Sequence, residues 1–393
     1  MRGDVPSLEI DSLLDEASAR AGGRSDFGER QFLQGLERLV DSLEREARLT
    51  PLGRVIARER ILGSARNRLD YIGDRKLRPE IARERIVKPL IVVGMPRTGS
   101  TILHDILAQD PDSRAPLTWE VMFPSPPPEP ATFETDPRIA ACDATFPAVD
   151  AQIPAFKAMH PMGARLSQEC VSMMADAMVT PLFHNQFRVP TYQDWVDREA
   201  DWSLVYELHE RQLQHLQSRV KRDRWVLKTG AHMWGLEHLL ARYPDARIVF
   251  THRDPVKSMT SYASLTALVR SMGSEEVDRA EIARDWTARI KRVLEHAIEV
   301  RTKNPAPEVQ FYDMYFQDFV ADQLGTVEKI YRAFDLPLGD EAARRMRAFI
   351  AENPKDKHGI HRYSPHEYGI DPEAIRETFR PYLDHFGLEP ETL

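Results

Sequence analysis

The sequence has few cysteines, no long apolar run and no excess of basic residues, and each shortage excludes a class of protein. Its two cysteines, Cys142 and Cys170, cannot form a disulfide framework in 393 residues and suit a reducing compartment. Nowhere do about 18 uncharged apolar residues follow one another, as a membrane-spanning helix requires, and the first residues lack the apolar stretch of a signal peptide. The net charge of -8 gives no overall attraction to nucleic acid. We therefore expect a cytoplasmic protein without a transmembrane segment or a nucleic-acid partner.

One further absence concerns a single position in a glycine-containing segment. Residues 94–101 read Gly-Met-Pro-Arg-Thr-Gly-Ser-Thr, which has the glycine spacing of the loop that holds nucleoside triphosphates, G-x-x-x-x-G-K-[ST]. Ser100 occupies the place of the lysine in that pattern. Because this lysine neutralises the terminal phosphates, its absence argues against hydrolysis of ATP or GTP.

The same segment lies between a predicted strand and a predicted helix. Residues 90–93 form a short β-branched run, typical of a strand buried on both faces of a parallel sheet, and apolar residues recur at helical spacing over 102–107. A turn containing Gly99 lets the backbone approach an anion, while N–H groups at the helix start point towards it. Four side chains of the turn can donate further hydrogen bonds to the anion: Arg97, Thr98, Ser100 and Thr101.

The whole pattern predicts an α/β fold, with a P-loop-like central parallel sheet flanked by helices. Further strands are predicted at three places, 225–228, 246–251 and 309–312, and helices separate them, which favours right-handed crossovers. Residues 1–87 form a helical N-terminal extension whose apolar face could pack on the rest of the chain, form a homodimer or cover a ligand.

Residues 88–393 form the predicted α/β domain, and two segments within it interrupt the α/β pattern. The proline-rich segment 123–137 is either a surface linker or a wall of an acceptor pocket. A helical insertion spans 150–222 and is rich in methionine and aromatic residues, which are typical of a core but also of adaptable binding surfaces.

Basic residues follow three of the predicted strands. Arg97 comes after the first, Lys228 closes the second and Arg253 follows the third. Ligands of open α/β sheets bind beyond the carboxyl ends of the strands, so these three cations should converge. Because converging cations are costly without an anion, we expect a ligand with more than one phosphate-like group.

These motifs resemble those of the sulfotransferases that use 3'-phosphoadenosine 5'-phosphosulfate (PAPS), most of all the bacterial branch that shares motifs with tyrosylprotein sulfotransferases. Residues 94–101 are similar to the family's 5'-phosphosulfate loop, with Arg97 where the steroid and phenol enzymes have lysine. Residues 251–255, followed by Ser261, resemble its 3'-phosphate motif, in which Arg253 and the serine bind the phosphate. The resemblance covers about residues 88–388 and implies PAPS as co-substrate, without a metal ion.

The resemblance also implies roles for individual residues. Lys228 is similar to the lysine that contacts the transferring oxygens, and Arg362 lies in a glycine-containing basic segment similar to one that closes over the adenosine bisphosphate. The tyrosylprotein branch uses a glutamate after the first helix as the base, which makes Glu120 the predicted base here. His104 and Glu169 remain alternatives for this role.

The sequence thus predicts in-line transfer of a sulfuryl group from PAPS to a hydroxyl of a small, apolar or lipid-like acceptor. The apolar middle region is the reason for that acceptor class. Two alternatives stay open at this point. One is a nucleotide-dependent phosphotransferase on a P-loop scaffold, and the other is a non-catalytic protein that binds PAPS or adenosine 3',5'-bisphosphate (PAP).

Overall fold

A parallel sheet of five strands lies at the centre of the computed structural model, which describes residues 6–154, 156, 162–354 and 363–392. The strands are β1 (Leu90–Gly94), β2 (Ser113–Arg114), β3 (Arg224–Lys228), β4 (Arg247–His252) and β5 (Phe311–Tyr315). Their order in the sheet is β2-β3-β1-β4-β5, and every neighbouring pair is parallel. The predicted α/β class with a central parallel sheet is confirmed.

Helices surround this sheet and fill most of the remaining described chain. They are α1 (Ile10–Arg20), α2 (Arg30–Glu46), α3 (Pro51–Leu77), α4 (Ser100–Leu107), α5 (Thr118–Met122), α6 (Pro137–Asp143), α7 (Phe146–Gln152), α8 (Cys170–Met174), α9 (Leu182–Gln186), α10 (Pro190–Arg198), α11 (Trp202–Gln217), α12 (Leu236–Arg242), α13 (Pro255–Arg270), α14 (Arg279–Thr302), α15 (Pro307–Gln310), α16 (Phe316–Ala321), α17 (Gln323–Ala333), α18 (Asp340–Glu352), α19 (Pro372–Thr378) and α20 (Arg380–Phe386). Short 3-10 helices lie at Pro79–Arg83, Ala175–Ala177, Gly230–Gly235 and Pro365–Tyr368.

Alternate residues of β1 face two different cores. Ile91 and Val93 belong to the larger apolar cluster, whereas Leu90 and Val92 belong to a smaller one on the other face, with residues of α4 and α17. Burial on both faces explains why this strand is a continuous apolar run. Since β1 pairs with β3 and β4, the chain segments that follow these strands emerge at one edge of the sheet.

The N-terminal helices pack within the larger cluster. The apolar face of α2 is buried there through Phe32, Leu36, Leu39 and Leu43. This face therefore packs on other parts of the same chain, which is the first of the uses that the sequence left open. A homodimer formed by these helices stays a prediction. No helix in the described part of the chain combines the length and apolar character that crossing a bilayer needs.

The proline-rich segment is held against the helices α3 and α11. The hydroxyl of Ser125 donates to Asp74 of α3 over 2.6 Å, and the Nε2 atom of His215 in α11 lies 2.9 Å from the carbonyl oxygen of Pro124. The segment is thus packed on the body of the protein at these two contacts and is not a loose linker there.

The structure differs from the predicted bounds of one strand and decides one alternative that the sequence left open. The last strand begins at Phe311 and not at 309, because Pro307 starts the short helix α15 just before it. Three methionines of the helical insertion, Met173, Met174 and Met178, are buried in the larger cluster, which is the first of the two uses that the sequence left open for such residues. These side chains therefore give no reason to expect an apolar acceptor.

Candidate active site

The glycine-containing loop after β1 has the backbone conformation that its sequence requires. Gly94 has φ 147° and Gly99 has φ 83°, both in the region that favours glycine. A Cβ atom on Gly94 would lie 2.4 Å from the hydroxyl oxygen of Thr251 on β4. The first glycine is therefore needed both for its conformation and for the close approach of β4.

Thr98 fastens the loop from within. Its hydroxyl donates to the carbonyl oxygen of Met95 over 2.8 Å, and its Oγ1 atom lies 2.6 Å from that of Thr251. Thr98 has no exposed surface. The sequence predicted that this side chain binds the anionic co-substrate. Its hydroxyl is instead hydrogen-bonded within the protein, where it supports the shape of the loop.

The start of α4 provides uncapped backbone donors. Gly99 is the N-cap residue and has no side chain that could accept hydrogen bonds from the first turn of the helix. Gly99, Ser100 and Thr101 are partly exposed, so the N–H groups here are close to solvent. The positive end of the helix dipole adds to their attraction for an anion.

Arg97 brings the two predicted phosphate motifs together. Its Nε atom donates to the hydroxyl of Ser261 on α13 over 3.1 Å, and its carbonyl oxygen accepts from an N–H of Arg253 over 2.9 Å. Burial lowers the pKa of Arg97, and the nearby charge of Arg253 lowers it further. The positive charge of Arg253 thus acts on that of Arg97, and an anion beside the two side chains would relieve this repulsion.

Arg253 has two further partners. Its Nε and Nη2 atoms donate to the two carboxylate oxygens of Glu391, over 3.0 and 3.3 Å. Its guanidinium also lies over the ring of Phe316, 3.8 Å from the ring centroid. Neither Phe316 nor Glu391 was suggested by the sequence, because no motif links these distant positions to Arg253.

Lys228 is buried at the end of β3 and lies between two oxygen-bearing side chains. Only 2% of this residue is exposed. Its ammonium group donates to the hydroxyl of Thr101 over 2.9 Å and forms an ion pair with Glu169. A buried lysine needs such partners. Both of them lie at the edge of the sheet where the loop leads into α4.

Glu169 is positioned by a pair of extended segments. The N–H of Gln168 donates to the carbonyl oxygen of Pro116 over 2.7 Å, and the N–H of Thr118 donates to that of Leu166 over 3.0 Å. Glu169 follows directly and is the N-cap residue of α8. About a quarter of its side chain (24%) is exposed, so the carboxylate is accessible beside Lys228.

Glu120, the base predicted from the sequence, has a different environment. It is fully buried and forms an ion pair with Arg114, and it also accepts from the N–H of Leu117 over 3.1 Å. Burial raises the pKa of Glu120, against the opposing effect of Arg114. Arg114 is paired with Trp225 near the start of β3, whereas Lys228 closes that strand. This arrangement is typical of a structural ion pair.

The remaining predicted residues fall into two groups. Burial lowers the pKa of His104 to about 4, and its Nε2 atom lies 3.0 Å from the carbonyl oxygen of Val226, an environment of a neutral, packed histidine. Arg362 lies outside the described residues. Within the ranges that the structure describes, no three His, Cys, Asp or Glu side chains come together to form a metal site.

Asp105 is a residue that sequence reasoning missed. It follows Thr101 by one turn of α4 and accepts a hydrogen bond from Ser167, two residues before Glu169. Burial raises its pKa to about 6, although the charge of Lys228 opposes the shift. The only signal in the sequence was its helical spacing from Thr101.

Comparisons with known proteins are consistent across sequence and structure. Residues 89–340 match the model of the sulfotransferase family. The omega-hydroxy-beta-dihydromenaquinone-9 sulfotransferases Stf3 of Mycobacterium bovis and Mycobacterium tuberculosis are each 24% identical over 323 residues, covering 77% of this chain and 76% of the relative. The crystal structure of sulfotransferase STF1 from Mycobacterium tuberculosis H37Rv is 34% identical, with a TM-score of 0.85 over 97% of this chain and 100% of that one. Sulfotransferase STF9 from Mycobacterium avium is 29% identical, with a TM-score of 0.90 over the whole of both chains.

Proposed function

Because the chain belongs to the sulfotransferase family and is a sulfotransferase enzyme, we propose that its sulfuryl donor is PAPS and its acceptor a hydroxyl group of a small apolar or lipid-like molecule. The observation that carries the donor proposal is the contact of Arg97 with both Ser261 and Arg253. This contact joins the loop predicted for the 5'-phosphosulfate to the motif predicted for the 3'-phosphate.

The donor set of the site fits a ligand with two anionic ends. Around the loop, uncapped N–H groups at the start of α4, Arg97 and Lys228 suit the oxygens of the phosphosulfate. Arg253 and Ser261 suit the 3'-phosphate, which ATP lacks. The pairing of Arg253 with the Glu391 carboxylate supports this, because a carboxylate and a phosphate are both held by two parallel N–H bonds from one guanidinium.

The proposed chemistry is in-line transfer without a covalent enzyme intermediate. As the bond between sulfur and the bridging oxygen breaks, negative charge grows on that oxygen, and Arg97 and Lys228 would stabilise it. The acceptor hydroxyl loses its proton to a base as the new O–S bond forms. The acceptor must approach the transferred group near Lys228, so the base should be a carboxylate that lies close to Lys228 and is accessible to the acceptor.

We assign the base to Glu169 in place of Glu120. Glu169 is paired with Lys228 and partly exposed, so an acceptor hydroxyl can reach it. Glu120 has no exposed surface, and its two carboxylate oxygens contact Arg114 and the N–H of Leu117. Because no part of Glu120 is exposed, an acceptor hydroxyl cannot approach its carboxylate.

The acceptor class rests on the relatives. The Stf3 proteins of Mycobacterium tuberculosis and Mycobacterium bovis are named for omega-hydroxy-beta-dihydromenaquinone-9, a hydroxylated acceptor. They match about three quarters of this chain at 24% sequence identity. We therefore carry over to this chain only the class of acceptor and not the particular molecule.

The experiment that tests the donor is thermal unfolding in the presence of nucleotides. We expect PAP to raise the melting temperature, while ATP with Mg²⁺ at equal concentration leaves it nearly unchanged, because ATP has no 3'-phosphate for Arg253 and Ser261. Transfer of radiolabelled sulfate from PAPS to a panel of hydroxylated lipids, phenols and sugars then identifies the acceptor class. Stabilisation by ATP with Mg²⁺ but not by PAP would contradict the donor proposal.

A further inference from the structure

The guanidinium of Arg253 is already bonded to an anion of the protein itself. Nε and Nη2, which form one edge of the group, donate to the two carboxylate oxygens of Glu391. Nη1 donates to the carbonyl oxygen of Arg97. Since one face of the group is also covered by Phe316, the edge that suits a phosphate best is the edge that Glu391 occupies.

The C-terminal segment reaches Arg253 by a defined path. Helix α20 ends at Phe386, and Gly387 with φ 59° turns the chain. Two residues of the segment, Glu389 and Pro390, are then exposed before Glu391 returns to the body of the protein. The N–H of Glu391 donates to the carboxylate of Asp254 over 2.8 Å, which fixes its backbone next to Arg253.

The charges around this contact leave Glu391 as the group that competes with a phosphate. The carboxylate of Asp254 lies 3.6 Å from the guanidinium of Arg376 and caps the start of α13, so its charge is balanced there. The charge of Glu391 is balanced by Arg253. A phosphate entering the same edge would meet the Glu391 carboxylate at close range, and like charges that close repel each other.

We propose that Glu391 is an internal competitor for the 3'-phosphate of the donor, and that the C-terminal segment is a strap that the donor displaces. The inference rests on the proposed function, because it takes Arg253 as the 3'-phosphate ligand. Donor binding then has two parts: the carboxylate of Glu391 leaves Arg253, and the phosphate takes its place. The affinity for PAP is lowered by the free energy of the contact that is broken.

The test compares two variants that remove one negative charge from the same segment. Glu391→Gln removes the charge that contacts Arg253, and Glu389→Gln removes an exposed charge two residues away. We expect Glu391→Gln to bind PAP about tenfold more tightly than the unmodified chain in isothermal titration calorimetry, the scale of one charge-assisted hydrogen bond. Glu389→Gln should bind PAP with unchanged affinity. Adenosine 5'-monophosphate, which lacks the 3'-phosphate, should not distinguish the variants.

Hydrogen exchange of the C-terminal peptide gives a second readout. Because the Glu391 amide is bonded to Asp254, addition of PAP should speed its exchange if the strap leaves. Unchanged exchange together with equal PAP affinity in Glu391→Gln and the unmodified chain would overturn the strap, and the donor proposal would stand if Arg253→Ala weakened PAP binding. If PAP bound none of these proteins, the donor proposal would fail, and the strap with it. An equal gain in Glu389→Gln would show a general charge effect and would also overturn the strap.

Discussion

The side chain of Arg97 reaches the hydroxyl of Ser261 over 3.1 Å, although the two residues are 164 positions apart in the sequence. The contact joins the loop after β1 to the helix after β4, two neighbouring strands of the sheet. It brings the two predicted phosphate motifs into direct contact.

Removal of the Ser261 hydroxyl should weaken binding of the sulfuryl donor and leave binding of the acceptor unaffected. We expect Ser261→Ala to raise the KM for PAPS about tenfold, because one hydrogen bond to the phosphate and the contact that orients Arg97 are both lost. The KM for the acceptor should change less than about twofold. Ser271→Ala, at the exposed far end of α13, is the control. Equal increases in both KM values would contradict a role specific to the donor.

The two glutamates proposed as base should respond differently to replacement by glutamine. We expect Glu169→Gln to lower kcat about 100- to 1000-fold, with PAP affinity nearly kept, because the amide cannot accept the acceptor's proton. Rapid-quench measurement of a single turnover checks whether the chemical step is the one affected. If Glu169→Gln kept full activity, the base would have to be sought elsewhere.

Glu120→Gln should instead act on stability. The change leaves the buried guanidinium of Arg114 without its charged partner, and breaking such a pair costs about 3–5 kcal/mol. Urea unfolding measures the loss, and kcat per folded molecule should stay close to that of the unmodified enzyme. A normal unfolding midpoint combined with a large fall in kcat would restore Glu120 as the base.

A methyl group at Gly94 should disturb the loop at its root. Its φ of 147° is unfavourable for any side chain, and the new Cβ atom would meet Thr251 within 2.4 Å. We expect Gly94→Ala to destabilise the fold by about 2–3 kcal/mol and to abolish the stabilisation by PAP. Gly63→Ala is a matched control, since nothing lies within 4 Å of its Cβ position on helix α3. The free energy of unfolding of that control should rise by about 0.5–1 kcal/mol, because alanine favours a helix more than glycine does.

Asp105 should contribute a stability that depends on pH. Burial raises its pKa from 3.8 to about 6, so the folded chain binds this proton more tightly than the unfolded chain. The contribution is therefore fully present below pH 4 and is lost as the pH rises through 6. The difference in unfolding free energy between the unmodified chain and Asp105→Asn should decrease over that interval and then stay constant. A difference independent of pH would show that Asp105 keeps its ordinary pKa.

The strands β1, β3 and β4 and the glycine-containing turn after β1 could be predicted because their causes are local. The β-branched run of 90–93 became β1, and the predicted strands 225–228 and 246–251 match β3 and β4 within one residue at each end. Their shared edge follows from the parallel crossover rule. The two-residue strand β2 escaped notice, since it is too short for any alternating pattern.

The partners of the charged side chains could not be predicted in the same way. Glu120 forms an ion pair with Arg114 inside the protein. Glu169 forms an ion pair with Lys228, and the residues just before Glu169, 166–168, pair with the distant segment 116–118. The sequence showed that both glutamates were candidates. Only the fold distinguishes the enclosed carboxylate from the accessible one.

The hydroxyl contact between Thr98 and Thr251 has a consequence for selectivity. Because it ties the loop to β4 without any help from a ligand, we expect the loop to lose little conformational freedom when the proposed donor binds. A loop held in this way should adapt little to a bulkier polyphosphate or to a lone sulfate ion. We therefore expect selection among anions at this end of the proposed donor to depend on shape as well as on charge.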